Sequence, residues 1–113
     1  MKRPQKHIIV AAMKAKALKV IRAILAGRTG EALRGIKELC EMSVKYRVTL
    51  DNIPVVAIIA EWLNEFKAVC FCDSNVPVNI YAKLGYLVSA ISFCKYGRPD
   101  LVQSRLHQAY PKG

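Results

Sequence analysis

Residues 10–24 read VAAMKAKALKVIRAI, and their spacing decides the fold class. Val10, Met13, Ala17, Val20 and Ile24 recur at intervals of 3, 4, 3 and 4, which gathers them on one side of a helix. Lys16, Lys19 and Arg22 fall in an arc on the other side, at about 100° per residue. Gly27 and Gly30, in Gly-Arg-Thr-Gly, supply a stop and a turn, so the first helix spans about 5–26.

The same period continues outward from this segment. A second helix, about 30–46, has Thr29 as its N-cap, Glu31 in its first turn and a stripe of Leu33, Ile36, Cys40 and Val44. Arg34/Glu38, Lys37/Glu41 and Glu41/Lys45 are opposite charges four residues apart, which marks an exposed face. Residues 47–53 form a short connection, where Asp51 or Asn52 can cap and Pro54 suits a first helical position. The third helix, about 53–72, aligns Val55, Ile59, Trp62, Phe66 and Val69. After the loop Asp73-Ser-Asn-Val-Pro, a fourth helix, about 77–96, aligns Ile80, Leu84, Leu87, Ile91 and Cys94. Its second stripe, Ala82, Gly85, Ser89 and Ser92, is small enough to let another helix come close. A last short helix, about 99–109, carries Val102, Leu106 and Ala109 on one side. No run alternates in polarity as a strand would, and no solenoid period recurs. The expectation is one all-α domain over residues 1–113: a compact bundle or orthogonal array of four main helices, a short C-terminal helix and a basic, mobile N-terminal tail (1–6).

A chain of 113 residues with 53% hydrophobic side chains buries enough surface to fold without disulfides or metal. Its charge is lopsided. There are 18 Lys and Arg against 8 Asp and Glu, a net charge of +10, and the first 30 residues contain no acid at all. That segment accounts for +8 of the total, so it attracts polyanions: nucleic acid, an anionic membrane surface or an acidic protein. A solvated face that keeps the protein soluble is the plainer alternative.

The apolar run Ile8–Met13 is ended by Lys14, too early for a secretory core, and the absence of serine from this N-terminal segment speaks against a mitochondrial presequence. The longest charge-free apolar stretch, residues 84–94, is too short to span a bilayer. A membrane-surface role for the first helix lacks an interfacial Trp or Phe. The expected location is the cytoplasm, with Cys40, Cys70, Cys72 and Cys94 as free thiols.

Little here points to catalysis, and the protein is expected not to be an enzyme. His7 and His107 lie near opposite ends of the chain, and a Cys94–His107 nucleophile pair would have to be assembled by folding. Glu61 and Glu65 read as solvated helix acids, and Gly-Arg-Thr-Gly lacks the Lys-Ser/Thr of a phosphate loop. No cofactor is expected. Cys70, Cys72, Cys94 and His107 offer four zinc donors, yet a Cys-x-Cys pair on a helix points its sulfurs roughly 200° apart. Whether they hold a metal stays open.

Residues 23–36, AILAGRTGEALRGI, resemble a helix-turn-helix, with an Ala, a Gly four residues on, then Leu33 and Ile36. In that reading Thr29, Arg34 and Lys37 contact DNA and Arg28 a phosphate. Arg22 and Arg28 stand where such motifs hold apolar residues, and an ordinary turn between antiparallel helices accounts for the same sequence. The basic segment supplies the broader expectation: Lys2, Arg3, Lys6, Lys16, Lys19, Arg22, Arg28, Arg34 and Lys37 bind the phosphate backbone of duplex DNA or structured RNA. No Phe, Tyr or Trp precedes Tyr46, so base stacking by this region is excluded and single strands fit poorly.

The alternative is a protein-interaction module, of viral or plasmid type, that docks an acidic partner with Tyr46, Tyr81, Tyr86, Tyr96 or Tyr110 as exposed anchors. A homodimer is a further expectation, because the apolar stripes exceed what four helices need. The position of the remaining cations discriminates. Arg28, Arg34, Lys37, Lys45 and Arg47 continuous with Lys16 and Lys19 mean a nucleic-acid groove; scattered, they mean docking or solubility.

Overall fold

The computed structural model describes residues 5–50 and 53–111. It holds five helices, α1 (Lys6–Leu25), α2 (Thr29–Tyr46), α3 (Val55–Phe71), α4 (Val78–Lys95) and α5 (Pro99–Ala109), and no strand among the described residues. The all-helical expectation holds, with boundaries within two residues of the sequence estimates. Lys6, assigned above to the tail, is already the first residue of α1.

Two helical hairpins, α1–α2 and α4–α5, turn in the same way. In the first, Gly27 N–H donates to Ile24 O and Arg28 N–H to Ala23 O, with Gly27 at φ 75°. In the second, Gly97 N–H donates to Cys94 O and Arg98 N–H to Phe93 O, with Gly97 at φ 69°. These paired reverse bonds are a Schellman closure, and the left-handed residue it requires is glycine in both turns. The next residue is arginine in each case, and it becomes the N-cap of the following helix. Thr29 therefore stands inside α2 rather than capping it.

α2 lies against α4 and α5, while α3 bridges α1 and α4. Between them sit Met13, Ala17 and Val20 of α1, Ile36, Leu39 and Cys40 of α2, Ile59 and Leu63 of α3, Leu84, Leu87 and Ile91 of α4, and Val102 of α5. The connection after α2 also joins the core. Arg47 takes a left-handed conformation (φ 54°), Ser43 Oγ donates to Val48 O at 2.6 Å, and Val48, Leu50 and Ile53 are buried. Asp51 and Asn52, the expected caps, lie outside the described residues.

α3 departs from its expected face. Val56, Ile59, Leu63 and Cys70 point inward, Trp62 and Phe66 are half-buried and stacked on each other, and Val69 is 67% exposed. Glu61, Asn64 and Glu65 mark an exposed side, but the apolar remainder covers more than half of the helix, so spacing leaves open which part of it is buried. The small stripe on α4 meets no closely packed helix backbone at Gly85. The nearest atom to a Cβ there would be Lys67 Cε, at 3.9 Å, and the lysine stem covers that part of α4.

Candidate polyanion-binding groove

α1 and α2 run antiparallel and unusually close. A Cβ added to Gly35 would overlap Val20 Cγ2, so the absence of a side chain there sets the separation of the two helices. One turn further from the hairpin, Lys16 Nζ reaches Glu38 Oε2 across the pair. Lys16 stands nine residues before the end of α1 and Glu38 nine residues after the start of α2, roughly 13 Å along each helix from its terminus at the turn. Helices splayed at the right angle of a helix-turn-helix would be well apart at that distance. The turn is thus the antiparallel alternative weighed above, and α2 lies along α1 instead of projecting as a recognition helix.

The close approach leaves a groove along the outer side of the hairpin, with a volume of about 440 Å³. Val20 and Gly35 line it, together with Lys16, Lys19, Arg22, Arg28, Glu31, Arg34 and Glu38. Five of the nine basic residues named from the sequence therefore share one depression. Lys2 and Arg3 lie outside the described residues. Lys6 is elsewhere on α1, in a shallow depression with His7, Val10 and Lys14.

Lys37 is on the other side of α2. Its Nζ lies 4.7 Å from the centre of the Tyr110 ring, and Lys83 Nζ lies 4.8 Å from the same ring. The α2 pairings expected from spacing are replaced among the described residues. Glu38 pairs with Lys16, while Lys37 turns to Tyr110 and Lys45 to Tyr46, with ring centre 5.3 Å away. A pair four residues apart on a helix is worth only about 0.3–0.5 kcal/mol, so tertiary partners displace it readily. Lys45 shares the depression of Lys37, and Arg47, at the C-terminal end of α2, lies in a separate one beside Thr49 and Arg98. The discriminating test thus has a divided result: Arg28 and Arg34 join the groove, whereas Lys37, Lys45 and Arg47 do not. Of the tyrosines offered as exposed anchors, only Tyr96 is exposed; Tyr46, Tyr81, Tyr86 and Tyr110 are half-buried.

Each end of the groove carries an ion pair. Lys16–Glu38 ties α1 to α2, and Arg28 Nε donates to Glu31 Oε2 at 2.6 Å beside the turn. The Arg28 hydrogen bond and charge hold the Glu31 carboxyl below its ordinary 4.5, helped by Arg34 and Lys19. Glu38 is likewise lowered, first by its hydrogen bond to Lys16, with Arg34 and Lys37 adding to the field. Lys16–Glu38 is partly exposed and contributes only about 0–1 kcal/mol to stability. Lys19, Arg22 and Arg34 make no ion pair among the described residues. Arg34 stands three residues after Glu31 and four before Glu38, and Lys19 and Arg22 lie between Lys16 and Arg28 in the chain, so the three unpaired cations fall between the two ion pairs.

The candidate zinc donors stay apart in character. Cys70 is buried, Cys72 is exposed at the end of α3, and Cys94 is buried beside Cys40 and Ser43. His107 lies in the depression of Lys37 and Tyr110. Among the described residues no three His, Cys, Asp or Glu side chains gather as a metal site, and no helix is long and apolar enough to cross a membrane. Two features of the groove escape sequence reasoning: the Lys16–Glu38 bridge, and Gly35 as the point of contact. A glycine inside a helix was the available signal for the second. Compared with protein-family models, curated proteins and solved structures, the chain gives no significant match to any of them.

Proposed function

We propose that this protein binds the phosphate backbone of duplex DNA or structured RNA through the α1–α2 groove. The observation that carries this reading is the convergence of Lys16, Lys19, Arg22, Arg28 and Arg34 on one depression against only two carboxylates. Arginine forks and lysine ammoniums pair with phosphate oxygens without regard to base identity. The groove contains no aromatic side chain, so it offers no platform for splayed bases and favours a paired backbone. The expected contribution is a non-enzymatic, salt-sensitive one, in which binding is driven by release of counterions.

The test is fluorescence anisotropy with labelled duplex DNA, single-stranded DNA and structured RNA, titrated in salt. Wild-type protein is expected to bind the paired forms with a salt-dependent affinity, and Lys19→Glu/Arg22→Glu/Arg34→Glu to lose that binding. Unchanged binding by the triple variant rules the groove out.

A second reading has its own support. Leu18 and Leu25 are exposed, 46% and 82%, on the same helix as Lys19 and Arg22, and apolar groups beside cations suit an acidic amphipathic partner better than phosphate. Capture of such a protein that is lost in Leu18→Ser/Leu25→Ser, with nucleic-acid binding absent, would favour it. For the homodimer expected from the excess of apolar stripes, exposed Val69, Phe71 and Val78 around the α3–α4 loop supply an apolar surface. Sedimentation as a monomer at high micromolar concentration removes it.

A further inference from the structure

The groove contains its own anions, and their placement bears on how many phosphates it can hold. Resting on the nucleic-acid reading above, we propose that Glu31 and Glu38 are built-in competitors for the phosphate site, restricting the groove to Lys19, Arg22 and Arg34 and keeping its grip weak and reversible.

The two carboxylates do little for the fold. Both ion pairs are at the surface, with Lys16 and Glu38 side chains 30% and 41% exposed and Arg28 and Glu31 each 57% exposed. Pairs of that exposure add little to stability. The hairpin has stronger restraints in the Gly27 turn and the Val20–Gly35 contact. For an arriving phosphate the same pairs matter much more. Lys16 and Arg28 are each already hydrogen-bonded to a carboxylate oxygen. A phosphate that takes over either cation frees a carboxylate, which must then recruit a counterion of its own. The exchange releases no net ion and adds nothing to the salt dependence.

Position reinforces this. Glu31 and Glu38 are seven residues apart on α2, about 10 Å along its axis. Arg34 lies between them, and its charge acts on both. A backbone tract laid along the groove meets an anion near each end of this interval. The unencumbered cations therefore form a short central window rather than a continuous basic track.

Counterion release gives this a measurable form. Each phosphate neutralised on duplex DNA contributes about −0.9 to the slope of log affinity against log salt. Changing both carboxylates to amides frees two further cations, so Glu31→Gln/Glu38→Gln should steepen the slope by about 1.8. Between 50 and 200 mM salt the variant then loses about twelvefold more affinity than wild type loses, starting from tighter binding at the low end. The control is Glu61→Gln/Glu65→Gln, which makes the same change in net charge at two exposed positions on α3, outside the groove. Its slope should match wild type.

The experiment is the anisotropy salt titration on all three proteins with one labelled duplex, with circular dichroism to verify that each is folded. A steeper slope in the groove variant alone supports the proposal. Equal slopes in all three overturn it while leaving the nucleic-acid reading standing, and equal steepening in both variants overturns it in favour of a net-charge effect. Failure of wild type and both variants to bind the duplex at low salt overturns the nucleic-acid reading and this proposal together.

Discussion

Replacing Gly35 by alanine reads out the feature on which the groove is built. On a free helix surface the change would stabilise by about 1 kcal/mol, because glycine is the poorer helix former. Here the new methyl overlaps Val20 Cγ2. Val20 is 2% exposed, and a valine on a helix has one strongly preferred χ1 rotamer, so it has little freedom to turn away. Overpacking of this kind costs about 1–3 kcal/mol, and after the propensity gain the net is a destabilisation of about 1 kcal/mol. Val20→Ala removes two methyl groups at about 0.8 kcal/mol each and leaves some unfilled space, for a cost of about 2 kcal/mol. If the sites were independent, the double variant would lose about 3 kcal/mol. The alanine methyl instead enters the volume vacated by Cγ2, the overlap disappears and the helix gain remains, so the double variant should lose only about 1 kcal/mol. The coupling is therefore about 2 kcal/mol, read from urea denaturation followed by circular dichroism on the four members of the cycle. A stabilising Gly35→Ala, or additivity within about 0.5 kcal/mol, refutes the close approach of α1 and α2.

The other predictions use different parts of the molecule. Lys37→Glu should leave the salt slope of duplex binding where it is, because Lys37 faces Tyr110 and not the groove; a loss as large as that from Arg34→Glu would contradict the division. Tyr110→Phe keeps a ring between Lys37 and Lys83 and should cost less than about 1 kcal/mol in denaturation, whereas Tyr110→Ala should cost about 2–4 kcal/mol. Burial, chiefly, raises the Tyr110 phenol above its usual 10. The folded state thus favours the neutral ring, a preference intact below pH 10 and lost as pH climbs through the raised value, so phenolate absorbance should lag behind that of a free tyrosine. Glu31 and Glu38 have the opposite sign: their lowered values favour the folded charged form above pH 4.5, and this stabilisation fades as pH falls through them, which carboxyl NMR titration in low and high salt would follow. Of the four thiols, Cys72 should react with a disulfide reagent in the native protein far faster than buried Cys40, Cys70 and Cys94, and Cys72→Ser should abolish the fast phase.

How far the primary structure reaches is clearest residue by residue. Met13, Ala17 and Val20 on α1, and Leu84, Leu87, Ile91 and Cys94 on α4, are read correctly as core from their spacing of three and four, although Ile80 of the same α4 stripe is 39% exposed. α3 defeats the same method, since Trp62, Leu63, Phe66 and Val69 all satisfy a hydrophobic test and only neighbours decide which is covered. Val48, Leu50 and Ile53 read as part of a short connection because no period exists over so few residues, yet they fill core space between α2 and α3. Both Gly-Arg turns are visible in the letters, while their shared hydrogen-bond pattern is not.

The candidate site divides along the same line. Lys16, Lys19 and Arg22 share a face by helical geometry, which is local and follows from about 100° per residue. That Arg28 and Arg34 join them, that Lys37 goes to the far side, and that Glu38 crosses to Lys16 instead of pairing along α2 are products of one antiparallel contact. The helices and the excess of positive charge are properties of segments, set by nearest neighbours and composition. The groove is a property of two segments at once, and its existence depends on how closely Val20 and Gly35 allow them to approach.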